Sequence, residues 1–229
     1  MEQPQSPLYL TALTVIAYIL LCLWLVIPNY QNGKMIYMAN NDTSSLLDSL
    51  LFTASNKWGI DENQIMENMN KIAFHESKNK SDAIQKSSKA QSGVGPGRGL
   101  FQFEVGEGEG ANTAFNRLIS QLGKMNEEEP KFVKEMQNLQ NMNLNAFSKS
   151  GYDVSVLSPE EQQILFLGNL LHMPSKKEEG YKEASFTDID TDEKLAEYWA
   201  QYHHAGTKPG TEEYKKMIDK FTKDIAYYK

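Results

Sequence analysis

Residues 61–77 read DENQIMENMNKIAFHES, and the spacing of their apolar positions governs how the rest of the chain is read. Ile65, Met69 and Ile72 recur at helical intervals, and Glu76 follows four residues after Ile72. At about 100° per residue, Glu76 lies within roughly 20–40° of each of them around the axis. The stretch therefore predicts a helix opened by a capping box, Asp61-Glu62-Asn63-Gln64, and running to about Glu76. Its last turn carries a carboxylate on the apolar face. Such a group is desolvated, which raises its pKa and keeps it protonated near neutral pH. That is the state a general acid needs to protonate a departing glycosidic oxygen. The plainer reading is a glutamate at a frayed helix end, turned into water.

Helical periodicity continues on both sides. Ser44–Trp58 precedes the stretch and stops at Gly59. Ala111–Met125 is amphipathic through Ala111, Phe115, Leu118, Leu122 and Met125. Glu129–Phe147 is a weaker, Asn-rich helix. Ser158-Pro159-Glu160-Glu161 supplies a capping serine, a proline at the first helical position and the box glutamate, opening a helix to His172. Asp192–His204 and Thr211–Tyr228 complete the set. Between them, residues 78–99 read as a polar loop with glycines at 93, 95, 97 and 99. With no internal repeat and no β-alternation, residues 44–229 predict one all-α domain.

The amino-terminal end is different. Mean hydropathy over the 229 residues is −0.53, yet Leu8 to Ile27 is a run of twenty residues without a charge. As a helix it spans roughly 30 Å, the hydrocarbon thickness of a bilayer. Tyr9, Trp24 and Tyr30 lie near its ends, as interfacial aromatics do. A cleaved signal peptide would need a basic leader and a small-residue cleavage site. The leader MEQPQSP has neither Lys nor Arg, and Cys22 after Leu20-Leu21 is unlike a lipoprotein acylation site. Residues 1–7 are thus expected to be a tail, 8–27 a transmembrane helix, 28–43 a linker and 44–229 the folded domain.

Composition removes other classes. The chain carries 23 basic and 30 acidic residues, a net charge of −7, where a nucleic-acid binder would show a basic face. One cysteine allows no intramolecular disulfide and no multi-cysteine zinc site. Gly106-Glu107-Gly108-Glu109-Gly110-Ala111 fits a dinucleotide fingerprint, but its glutamates would repel a pyrophosphate and no βαβ pattern surrounds it. His75-Glu76 would need a second histidine at position 79 for a zinc protease, where Asn79 stands. His75, His203 and His204 lack a ligand spacing, so no metal and no cofactor is expected. Arg98, in the Gly-rich loop, is a candidate contact for a carboxylate or phosphate, or simply a solvated side chain.

Glu76-Ser77 is followed 22 residues later by Gly99-Leu100-Phe101-Gln102-Phe103, and much further on by Tyr202-His203-His204-Ala205-Gly206. This order resembles the soluble lytic transglycosylase family of the lysozyme-like superfamily. That family has a helix ending in Glu-Ser, then Gly-Leu-Met-Gln, then a helix with Ala-Tyr-Asn-Ala-Gly. The resemblance covers roughly residues 58–210. It implies a lysozyme-like all-α fold with Glu76 as the catalytic acid/base and Ser77 orienting it. Gln102 and the backbone of Gly99, Leu100 and Phe101 would line a sugar groove, joined by His203 and His204. Phe101 replaces the family's methionine, His204 its asparagine and His203 its tyrosine. One glutamate would protonate the leaving oxygen and then take the proton of the sugar's 6-hydroxyl, closing an anhydro ring. Paired-acid glycosidases instead need two carboxylates. Glu104, just after the glutamine motif, is the candidate second carboxylate for water attack in a hydrolytic muramidase.

The expectation is a single-pass membrane protein whose partners are peptidoglycan strands and the lipid bilayer. It would face the wall from a bacterial inner membrane or open the wall from a bacteriophage virion membrane. The other reading is a non-catalytic glycan-binding or assembly module that keeps the fold.

Overall fold

The computed structural model describes residues 43–87, 92–106, 110–128, 146–173, 185–202 and 209–228. The expected membrane segment 8–27, the linker up to residue 42, most of the expected helix 129–147 and the pair His203-His204 lie outside the described residues. Among the described residues no helix is long and apolar enough to cross a membrane.

The described chain is predominantly helical, with α1 Thr43–Trp58, α2 Glu62–Ser77, α3 Gly110–Glu128, α4 Pro159–His172, α5 Asp192–Tyr202 and α6 Glu212–Ile225. The central element is α4. Its capping box forms as expected: the Ser158 hydroxyl accepts the Glu161 N–H at 3.2 Å, and Glu161 accepts the Ser158 N–H at 2.7 Å. From Glu161 to Leu171 every residue except Gln163 is buried, the mark of a helix enclosed on all sides. On α1, Leu46, Leu47, Leu50, Leu51 and Ala54 face the core, and α1 and α3 both pack on α4. A Cβ on Gly168 would collide with Leu118 Cδ1 and crowd its Cβ, so glycine lets α3 approach α4 closely without displacing that side chain. Helix α2 packs on α1 and α6, and α5 pairs with α6.

Two local expectations need correction. Asp61 caps α2 by accepting the Asn63 N–H at 2.8 Å, but Gln64 does not complete a box. Its amide donates instead to the Ile189 carbonyl at 2.7 Å, a partner distant in sequence that holds the side chain away from the Asp61 N–H it would have to accept.

The span 78–99 is not simply a loop. Ile84–Lys86 (β1), Val94–Arg98 (β2) and Phe103–Glu104 (β3) form an antiparallel sheet in the order β1-β2-β3. Strand β2 reads VGPGR, with a proline where a middle strand should donate hydrogen bonds, so it carries no strand signature. The fold accommodates Pro96 by a break in register: Ile84 pairs with Arg98 and Lys86 with Val94, leaving unequal lengths between. The Gln85 side chain fills the irregularity and accepts the Gly97 N–H at 3.2 Å.

Candidate active site

Helix α2 ends in a left-handed turn. Lys78 and Asn79 adopt φ of 58° and 61°, and their N–H groups close on the carbonyls of Phe74 and Ala73. Ser77 is buried. Its hydroxyl donates to the Ala73 carbonyl at 2.9 Å and accepts the Lys80 N–H at 3.2 Å. This serine therefore shapes the helix exit directly behind Glu76.

Glu76 is partly exposed as a residue, and its carboxyl group is desolvated. Burial pushes its pKa from 4.5 up to about 7, against the opposing pull of a hydrogen bond from Trp199 and the charge of Lys220. The Trp199 Nε1–H donates to Glu76 Oε1 at 2.5 Å. A carboxyl that is half-protonated at neutral pH can both give and take a proton.

Helix α5 is held alongside α2 by long polar side chains. Lys71 reaches Asp192, the first residue of α5, at 2.9 Å, and Trp199 reaches Glu76 two turns further on. The tie points advance in the same direction along both helices, which places the start of Trp199's helix near the middle of α2. His75, adjacent to Glu76, packs edge-on to Trp199 at 4.5 Å and against Phe221 at 4.7 Å, with its Nδ1 3.0 Å from Asp224 Oδ2. Burial pushes this imidazole down to about 4, outweighing the attraction of Asp224, so it is neutral at pH 7.

The 99–102 loop hangs on the chain leaving α2. Ala83 accepts the Gly99 N–H at 2.8 Å, and the Gln102 amide donates to the carbonyls of Gly99 at 2.8 Å and Ala83 at 3.4 Å. Gln102 stands at φ 49° and is half-buried. Leu100 and Phe101 turn their side chains into the core, Phe101 stacking on Phe166 at 4.0 Å. What these two can offer a ligand is backbone. Arg98 folds back onto the carbonyls of Gly95 and Gly97, its Nη1 donating to them at 2.6 and 2.8 Å. Glu104 is exposed on β3, paired across from Gly97.

Sequence reading missed Trp199, the His75–Asp224 contact and Gln162. Gln162 is 1% exposed. Its Oε1 accepts the Leu100 N–H at 2.7 Å, and its amide donates to the carbonyls of Ser81 and Leu157, each at 3.0 Å. It pins the loop before β1, the turn after β2 and the entry to α4 to one another. In the sequence Gln162 stands in the polar stretch Glu160-Glu161-Gln162-Gln163 at the start of its helix, so nothing there marked it as buried. Among the described residues, no three His, Cys, Asp or Glu side chains converge to hold a metal ion. Compared with protein-family models, curated proteins and solved structures, the chain matches none.

Proposed function

We propose that this protein is a membrane-anchored peptidoglycan lytic transglycosylase, held to the bilayer by residues 8–27 and cleaving the β-1,4 bond between N-acetylmuramic acid and N-acetylglucosamine. The observation that carries the reading is Glu76: a desolvated carboxyl with pKa near 7, at the end of a helix whose exit chain supports the 99–102 loop. In the first step Glu76 gives its proton to the glycosidic oxygen as the C1–O bond breaks, and the bond's electron pair goes to that oxygen. In the second step the carboxylate takes the proton of the 6-hydroxyl as that oxygen bonds to C1, returning Glu76 to its starting state. The order of Glu76-Ser77, Gly99–Gln102 and Tyr202–Gly206 supports the same reading, and the acidic balance suits an anchored enzyme that needs no long-range steering to an anionic wall.

The test is incubation of the full chain, in detergent micelles, with purified peptidoglycan, the products being read by mass spectrometry. Anhydro-muramyl ends support a transglycosylase. Reducing muramic ends would replace it with a muramidase and point to Glu104 as the base. No products from folded protein would favour a glycan-binding module. The pH profile is a further check. The free enzyme must hold Glu76 protonated for the first step, so kcat/KM is expected to fall as pH rises through about 7. A profile flat to pH 9 would remove Glu76 as the acid. Gln102→Ala is expected to weaken glycan binding, raising KM by several-fold with a smaller loss of kcat than substitutions at Glu76. Unchanged kinetics and binding would detach the loop from the groove.

A further inference from the structure

A reaction run by one carboxyl group makes two demands on it. The group must be protonated before the first step, which burial secures. It must then become a carboxylate inside the site from which water has been removed, and burial alone opposes that. A donor that strengthens its bond as negative charge develops meets the second demand, and where burial is the larger effect it leaves the acid protonated for the first.

Trp199 is placed to be that donor. Its N–H is directed at Oε1 of Glu76, leaving Oε2 outside that bond. The indole is buried and held on two sides, by His75 at 4.5 Å with rings 73° apart and by Phe221 at 5.2 Å with rings 36° apart. His75 is held in turn by Phe221 and by its approach to Asp224. Three helices thus converge on one hydrogen bond: α2 with His75 and Glu76, α5 with Trp199, α6 with Phe221 and Asp224. The charged groups facing this cluster are Asp224 and Lys220 from α6 and Lys78 from the exit of α2. Because His75 is neutral near pH 7, the clamp adds no cation beside the carboxyl.

We propose that Trp199, gripped between His75 and Phe221, is a positioning residue that fixes Oε1 of Glu76, directs Oε2 to the scissile bond and stabilises the carboxylate as its proton leaves. This rests on the transglycosylase reading for its place in the reaction, but the bond itself is testable without turnover. The indole N–H donates more strongly to a carboxylate than to a neutral acid. Trp199→Phe keeps an aromatic ring and removes the donor. It is expected to move the titration midpoint of Glu76 upward by roughly one pH unit. The same change should lower kcat on peptidoglycan by roughly 10–100-fold with KM nearly unchanged. The alkaline limb of the pH profile should move upward although the enzyme is slower, a combination that loss of packing alone would not give.

The experiment is a pH titration of the full chain in micelles by NMR, following the ¹³C carboxyl resonance of Glu76, assigned by its absence in Glu76→Gln. Only three tryptophans are present, so the indole N–H signals are few. In the wild-type protein the Trp199 indole signal should move with the Glu76 midpoint near pH 7 and stay still in Glu76→Gln, which tests the bond even if Trp199→Phe does not fold. An indole signal indifferent to pH, or an unchanged Glu76 midpoint in a folded Trp199→Phe protein, would overturn the proposal. So would a raised midpoint with unaltered kcat. A wild-type protein that shows both titrations and cleaves no peptidoglycan would overturn the transglycosylase reading, and with it the catalytic part of this proposal, while supporting the bond.

Discussion

Glu76→Gln is expected to abolish cleavage, by about 10³-fold or more, and to make the folded protein more stable above neutral pH. The amide cannot give or take the proton, yet its oxygen can still accept the Trp199 N–H. The sign of the stability effect follows from where the acid titrates in each state. Glu76 titrates near 4.5 in the unfolded chain and near 7 in the folded one, so the folded state binds more protons in between. Stability falls as pH rises through that window: the contribution of the protonated acid is complete below about 4.5 and lost above about 7. Removing the acid removes the loss. A tenfold change in the protonation equilibrium corresponds to about 1.4 kcal/mol, so the gain above pH 7 is about 3 kcal/mol, declining to nothing near pH 4. His75 acts in the opposite sense, since its folded value near 4 lies below 6.5, so its contribution is lost as pH falls from 6.5 toward 4. Thermal unfolding of both proteins from pH 4 to 8 measures the difference. A gain independent of pH would show that Glu76 is hydrated, and appreciable cleavage by the variant would take it out of the mechanism.

Gln162→Leu is expected to cost about 3–5 kcal/mol, a fall in Tm of roughly 10 °C or more for a domain of this size. Leucine fits the volume but leaves the Leu100 N–H and the carbonyls of Ser81 and Leu157 without their buried partner. Each such orphan costs about 1–3 kcal/mol. Gly99→Ala strikes the same point from the other side. Gly99 has φ 72°, and a Cβ there would collide with Gln162 Oε1. The two changes should therefore combine to less than their sum, as expected for residues in contact. Hydrogen exchange gives the finer test: amides of the 99–102 turn should lose protection in Gln162→Leu while those of α1 keep it. A loss below about 1 kcal/mol would mean that water or a shifted backbone replaces the glutamine readily.

The helices were legible because burial imposes a period on a sequence. Ile65, Met69 and Ile72 mark α2, the serine box marks the start of α4, and Leu118 and Leu122 mark α3; each is found where the periodicity places it. The sheet was not legible. Its strands are three, five and two residues long, too short to alternate, and Pro96 stands in the middle one. They are held by the Gln85 side chain and by closure onto the rest of the domain, which no local pattern encodes. Position on the helix was enough to single out Glu76, but the burial that raises its pKa, and the opposing bond from Trp199, 123 residues away in the chain, came only with the tertiary structure.

The sequence by itself determined a predominantly helical domain, the helix whose apolar face carries Glu76, and the exclusion of an intramolecular disulfide and a multi-cysteine zinc site. These follow from periodicity and composition, properties of neighbouring residues or of the chain as a whole. Only the tertiary structure decided that Trp199 is the donor to Glu76, that His75 is a neutral support rather than a cation, and that the Ser77 hydroxyl and Arg98 Nη1 bond to the backbone. It also decided that Gln162 holds the 99–102 turn in place. Each of these depends on which groups lose water and which partner each then meets, and that is settled only when distant segments close on one another.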